Sequence, residues 1–234
     1  MKPEVLSFDA AGTLIEVHWD PGRFAVECAQ ALRWPIDAQV GKERYERLLG
    51  SRWRDYCSLN ELKNDDLCDT FWLELARDWI ESLELPGEAC ELFELGKQGL
   101  YGENQRIFRL YADTLPALQR LRSAGYRMVV LSNWDYSLHR VLRILGVEEF
   151  FEVTIASLQE GMEKPDPVLF RFVSHHVCVP PDRIVHIGDD PIDDLQGARG
   201  AGLGAILLDR SLPRAKRPII SSLEDLPKAL EWLD

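Results

Sequence analysis

Four short stretches of this sequence carry side chains suited to nucleophilic, acid–base or metal chemistry. Asp9 and Thr13 stand in SFDAAGTL, Ser132 and Asn133 in VLSNW, Lys164 in MEKPDP, and Asp189, Asp190, Asp193 and Asp194 in HIGDDPIDD. Singly, each has an ordinary structural cause, because an Asp near Gly is a common turn residue and Ser-Asn after a strand is a common helix cap. As a set they supply a cation, hydroxyls and two separate groups of carboxylates. Carboxylates gathered in one place repel one another, and a bound cation is the natural compensation.

Such a set works only if the chain brings its four parts to one place. Glu4–Phe8 is a short β-prone apolar run that stops at Asp9 and turns through Ala-Ala-Gly. The pattern returns at Arg127–Leu131, Val153–Ala156, Arg183–Ile187 and Ala205–Leu208, with helix-like text between the runs. This β-α alternation predicts an α/β fold, a doubly wound parallel sheet of Rossmann-like type. In such sheets ligands bind beyond the carboxyl ends of the strands, which is where the candidate residues fall.

Between about residues 17 and 106 the alternation gives way to helical spacing of apolar residues, in RFAVECAQAL, RYERLLGSRW, DTFWLELARDWIESL and ACELFELGKQGL. The expected organisation is therefore a core of residues 1–16 and 107–234 with an inserted helical domain, 17–106. Trp19, Trp34, Trp53, Trp72 and Trp79 lie in the insertion and are expected to pack its interior. The basic stretch RSLPRAKRPII reads as a solvated surface loop ahead of a last strand and helix.

Composition narrows the partners. Apolar residues make up 46% and charged residues 28%, as in ordinary globular chains. The formal net charge of -12 repels phosphate backbones, so nucleic acid is not expected as a partner, while an anionic small-molecule substrate is compatible with it because a bound divalent cation and one or two basic residues reverse the field locally. The opening MKPEVLSFDA lacks the apolar stretch of a signal peptide, and no run of about 18 apolar residues suggests a membrane span. A cytoplasmic location is expected. Five cysteines without a CxxC pair suggest neither disulfides nor zinc, but reduced and mostly buried thiols. Nothing in the sequence speaks to oligomeric state.

FDAAGTL, LSN, EKPDP and HIGDDPIDD, in this order, resemble the four motifs of the haloacid dehalogenase-like superfamily. A helical insertion directly after the first motif is similar to the superfamily's C1-type cap, and the motif contexts resemble most its REG-2-like hydrolases. The resemblance implies hydrolysis in two steps, with Asp9 attacking phosphorus and water cleaving the resulting aspartyl-phosphate. It implies magnesium held by Asp9, the backbone carbonyl of Ala11, Asp189 and Asp194, with Asp190 and Asp193 as alternatives to these and Asp194 also placed to position Lys164. Hard oxygen donors of this kind suit magnesium better than zinc. Ser132 and Asn133 would bind the phosphoryl group, Lys164 would neutralise its charge, and Thr13 belongs to the catalytic set.

The sequence departs from the pattern at one position. Phosphatases of the family usually carry a second aspartate two residues after the nucleophile, as general acid and base, and Ala11 stands there. His18, just after the first motif, is the nearest candidate substitute. A second reading is phosphonate cleavage through a Schiff base on Lys42, Lys63 or Lys97 of the insertion. A third is a metal- and ligand-binding regulatory protein with weak turnover. Dehalogenation is disfavoured by the acidic fourth motif. His175, His176 and His186 read as structural.

Overall fold

The computed structural model describes residues 3–214 and 216–233. The chain divides into two compact units, Met1–Val17 with Arg109–Asp234, and His18–Phe108.

The chain opens with β1 (Val5–Phe8), buried along its whole length, and β2 (Ile15–Val17). Four helices follow: α1 (Pro21–Ala31), α2 (Ala38–Glu61), α3 (Asp65–Ser82) and α4 (Ala89–Tyr101). Polar residues set their starts. Asp20 accepts from the Arg23 amide and Asp37 from the Val40 amide, each at 2.9 Å, while Glu88 and Glu91 form a reciprocal capping box. Then come β3 (Phe108–Leu110), α5 (Thr114–Ser123), β4 (Arg127–Ser132), α6 (Ser137–Ile144), β5 (Val153–Ala156) and α7 (Pro167–Val177). The chain continues with β6 (Ile184–Gly188), a π-helical turn (Pro191–Gln196), α8 (Gly197–Gly200), β7 (Gly204–Leu208), β8 (Ile219–Ile220) and α9 (Leu226–Leu230).

Six strands form one sheet in the order β5-β4-β1-β6-β7-β8, every neighbouring pair parallel, and β2 and β3 form a separate two-stranded sheet. The strands are short runs of Val, Ile and Leu, as expected where both faces of a sheet are covered. One face packs Val5, Val129, Leu131 and Ile155 against Leu169, Phe170 and Val173 of α7. The order reverses about β1: the chain moves outward through β4 and β5, then returns to the other side of β1 at β6. In open sheets of this kind such a switch point, at the carboxyl edge, is where ligands bind. Register brings the candidate residues to nearly one level, because Phe8 pairs with both Val130 and Ile187. Asp9 is therefore level with Gly188, and Ser132 stands one residue further along the neighbouring strand.

In the helical unit α1, α2, α3 and α4 pack on one another. Trp79 is fully buried and donates from its indole to the Gly41 carbonyl at 2.9 Å. Tyr56, also fully buried, meets Phe71 and Trp72 with ring centroids 4.8 and 4.9 Å away. The expectation that the tryptophans fill this interior holds for Trp34 and Trp79. Trp19 and Trp53 are exposed, and Trp72 is intermediate. Trp53 still rests one ring against Tyr56, so it covers the interior from outside.

The cysteines also differ from expectation. All five are free, but Cys28 and Cys68 are buried, Cys57 is intermediate, and Cys90 and Cys178 are exposed. No described helix is long and apolar enough to cross a membrane.

Candidate active site

Asp9 leaves β1 with its amide still donating to the Ile187 carbonyl at 2.9 Å. The chain then closes a tight loop: the amides of Leu14 and Ile15 both donate to the Ala10 carbonyl, and the Gly12 amide donates to Ile15. Gly12 has φ of +77°, in the left-handed region open to glycine, and a Cβ there would stand 2.3 Å from Asp189 Oδ2. Gly188 clears the second carboxylate in the same way, since its Cβ would lie 2.1 Å from the carboxyl carbon of Asp194. Two glycines thus make room for two of the aspartates.

The buried side chains interlock. Lys164 Nζ donates to Asp9 Oδ1 at 2.6 Å and to Asp194 Oδ1 at 2.5 Å, and Ser132 Oγ donates to Asp9 Oδ1 at 2.9 Å. Among the described residues nothing donates to Asp9 Oδ2. Thr13 Oγ1 donates to Asp189 Oδ1 at 3.1 Å. Asn133 ties the end of β4 to the loop that carries Lys164, accepting from the Lys164 amide at 2.8 Å and donating to the Lys164 carbonyl at 3.0 Å. Asn133 is thus a brace for the lysine's backbone. Asp193 receives a longer contact from Asn133 at 3.4 Å. Asp190 turns its Oδ1 to the amides of Ile192 and Asp193, both at 2.7 Å, and so caps the π-helical turn. That use as a cap competes with metal binding.

His186 was expected to be structural, yet it reaches the site. Its Nε2 lies 3.0 Å from Asp194 Oδ1, and its Nδ1 lies 2.9 Å from Ser7 Oγ, all three residues being buried. An ionised carboxylate only accepts, so Nε2 carries the proton toward Asp194. The Asp190 amide takes the other Asp194 oxygen at 2.9 Å. Asp194 therefore has both oxygens engaged by the protein.

The electrostatics follow from this crowding. Burial alone favours protonation of Asp194, but the His186 hydrogen bond and the Lys164 charge outweigh it and hold the group well below the usual carboxylate range. Burial likewise opposes charge on Lys164, and the two flanking aspartates reverse that and raise its pKa. Asp9 is raised by burial, only partly offset by Lys164, and Asp189 is raised by burial with repulsion from Asp194. One carboxylate oxygen from each of Asp9, Asp189 and Asp194 lies within 4.8 Å of the others. Three carboxylates with one lysine leave negative charge in excess, and the all-oxygen donor set fits a hard divalent cation.

Several residues escaped sequence reasoning. The two glycines could have been read from their place beside aspartates in the motifs. Nothing local in sequence marks His186 as a partner of Asp194, or Ser7 as a partner of His186. Arg210, expected in a solvated loop, is half-buried and donates to the carbonyls of Gly12 and Thr13 at 3.3 and 2.7 Å. The remaining candidates lie in the helical unit. His18 and Lys63 are exposed, Lys42 pairs with Asp20 at 2.5 Å, and Lys97 pairs with Asp69 at 3.5 Å.

The parallel sheet, its switch point and the carboxylate cluster beside it together define an enzyme of the α/β class. Residues 3–202 match the haloacid dehalogenase-like hydrolase family, and the chain belongs to it. It is 34% identical to the haloacid dehalogenase-like hydrolase domain-containing protein 3 of Mus musculus over 125 residues, half of each chain. It is 32% identical to the phosphoserine phosphatase of Thermus thermophilus, over 58% of this chain and 55% of that one. With the glyceraldehyde 3-phosphate phosphatase of Methanothermobacter thermautotrophicus it shares 31% identity, over 54% and 56% of the two chains. The chain thus spans about half the length of the curated relatives it matches. A solved structure of a 2-haloacid dehalogenase from Pseudomonas syringae shares the fold, with a TM-score of 0.66, 22% identity, and coverage of 99% of this chain and 100% of that one.

Proposed function

We propose that this protein is a cytoplasmic, magnesium-dependent phosphatase that hydrolyses a small phosphorylated metabolite through an aspartyl-phosphate on Asp9. The observation that carries this reading is the asymmetry of the Asp9 carboxylate. Lys164 and Ser132 hold one oxygen, while the other takes no hydrogen bond from any described residue. Held this way, Oδ2 would attack phosphorus, the phosphorus–oxygen ester bond would break, and the leaving oxygen would take a proton from water, Ala11 offering none. A water would then attack the same phosphorus, release inorganic phosphate and restore the carboxylate.

Magnesium would be held by Asp9, Asp189 and the backbone carbonyl of Ala11, and when bound it would supply positive charge where two anions must meet. Asp194, with both oxygens already engaged, would serve better by orienting Lys164 than as a direct ligand. Asn133, its side chain engaged with Lys164, would present its backbone amide to a phosphoryl oxygen, and Ser132 would join it by turning its one hydroxyl proton from Asp9 when the group binds. The phosphatase names of two relatives support phosphate monoesters as the substrate class. Five free thiols suit a reducing compartment.

Phosphonate cleavage is less well supported. A lysine that forms a Schiff base must shed its proton, and the hydrogen bond to Asp20 raises the pKa of Lys42.

The test is hydrolysis of an activated aryl phosphate with magnesium or with chelator. Asp9→Asn is expected to abolish the magnesium-dependent rate while leaving the circular dichroism unchanged, and retained turnover in that variant would sink the mechanism. Ala11→Asp, which restores the usual acid–base group, should raise hydrolysis of unactivated esters by about 10²–10⁴-fold. No gain would point to another proton donor.

A further inference from the structure

Arg210 follows β7 and lies nearly 200 positions from the loop it touches. Its guanidinium donates from Nη2 to the Thr13 carbonyl at 2.7 Å and from Nε to the Gly12 carbonyl at 3.3 Å. Nη1 donates to Asp113 Oδ2 at 3.0 Å, and the guanidinium carbon lies 3.7 Å from the centre of the Tyr111 ring. The clamp is itself anchored. Asp113 Oδ2 also accepts from Ser222 Oγ at 2.7 Å and from the Leu223 amide at 2.9 Å. Arginine's planar fork suits several fixed acceptors at once, and a lysine ammonium does not reproduce it.

The two residues it grips are the ones that meet Asp189. Gly12 presents its bare Cα to the Asp189 carboxylate, and the Thr13 hydroxyl donates to Asp189 Oδ1. Gly12 and Thr13 are thus held on their carbonyl side by Arg210 and make contact with the carboxylate cluster on their other side. Arg210 makes no described contact with Asp9, Ser132, Lys164, Asp189 or Asp194 itself.

We infer that Arg210 is a positioning residue, which sets the place of Asp189 relative to Asp9 by fixing the Gly12–Thr13 backbone. The inference rests on the proposed role of Asp9 and Asp189. Without the clamp, the loop between Asp9 and Thr13 gains freedom, and a displacement of about 1 Å in such a site is enough to cost about 100-fold in rate.

The experiment compares wild type, Arg210→Ala and Arg210→Lys in folded protein. It reads kcat and KM on an aryl phosphate, the affinity for magnesium alone by calorimetry, and amide hydrogen exchange across residues 9–15. Arg210→Ala is expected to lower kcat by about 10–100-fold with little change in KM, to weaken magnesium binding and to speed exchange in the loop. Millimolar guanidinium should restore all three. Arg210→Lys should fall between, and it is the variant to read if Arg210→Ala does not fold.

A lowered melting temperature with kcat, magnesium affinity and loop exchange all at wild-type values would overturn the inference, leaving Arg210 a purely structural residue. If wild type itself shows no magnesium-dependent turnover, the phosphatase reading has failed. Loop exchange and magnesium affinity then decide the role of Arg210 on their own, and unchanged values in both would overturn it too.

Discussion

The sheet unit and the helical unit bury polar groups to different ends. In the sheet unit Asp9, Ser132, Lys164, His186 and Asp194 are all buried, and they satisfy one another across the ends of β1 and β4, the interior of β6, the π-helical turn and the loop that carries Lys164. In the helical unit buried polar groups turn to the backbone, as where the Trp79 indole donates to the Gly41 carbonyl and the Asn60 side-chain amide to the Tyr56 carbonyl. Its charged pairs, such as Lys42 with Asp20, are partly exposed. An exposed pair contributes little to stability, whereas a buried one is costly to break. The first arrangement constrains residue identity strongly, and the second constrains little beyond size and polarity. Chemistry is therefore written in the sheet unit in a form that can be read, while the helical unit states only that it folds.

The largest expected effect breaks the sheet unit's network at its one cation. Lys164→Met leaves Asp9 and Asp194 facing each other without compensation. Removing one partner of a buried charged pair costs about 3–5 kcal/mol, which urea unfolding would measure. The same change should lower the rate by about 10²–10³-fold, the scale of losing one electrostatic donor at a reacting group. Unchanged stability would mean that the cluster does not depend on Lys164, and the contrast between the units would collapse.

A volume change should do in the helical unit what a charge change does in the sheet. Trp79 is fully buried and packs edge-on against Tyr45, with ring centroids 5.7 Å apart. Trp79→Ala is expected to cost about 3–5 kcal/mol. Amide exchange should show the lost protection within residues 18–108. Equal loss in the sheet unit would show that the two units unfold as one, and the comparison would have to be redrawn at the level of the whole chain.

The strands and the four clusters were legible because a short run of Val, Ile and Leu that stops at polar residues is what a buried parallel strand requires of its sequence. Asp9, Lys164 and Asp189 are each reached by reading one segment at a time. His186 and Arg210 were not legible, because their roles depend on partners 8 and 198 positions away that share a place only once the sheet has formed. His186 sits in the middle of a buried strand, where a histidine is ordinarily a packing residue. Trp19 and Trp53 were misread for the opposite reason: aromatic type predicts average burial, and their positions on the surface of the helical unit decide otherwise. Local pattern shows what a strand end carries, and tertiary closure decides what it touches.

The smallest expected effect sharpens the comparison with a single buried thiol. Cys28 lies on α1 of the helical unit, and burial pushes its thiol up to about 11 from an ordinary 9.0. Only the thiolate is alkylated readily, so at about pH 8 the native protein should lose Cys90 and Cys178, which are exposed, well before Cys28. Because the folded-state value is raised, the neutral thiol's contribution to stability is full below the ordinary value and is lost as pH rises through about 11. Cys28→Ser should flatten that alkaline loss and leave the neutral range nearly untouched. Labelling of Cys28 in native protein at the rate of Cys90 would show that α1 opens readily. The helical unit would then owe its order to fewer of its contacts than the burial of Cys28 suggests.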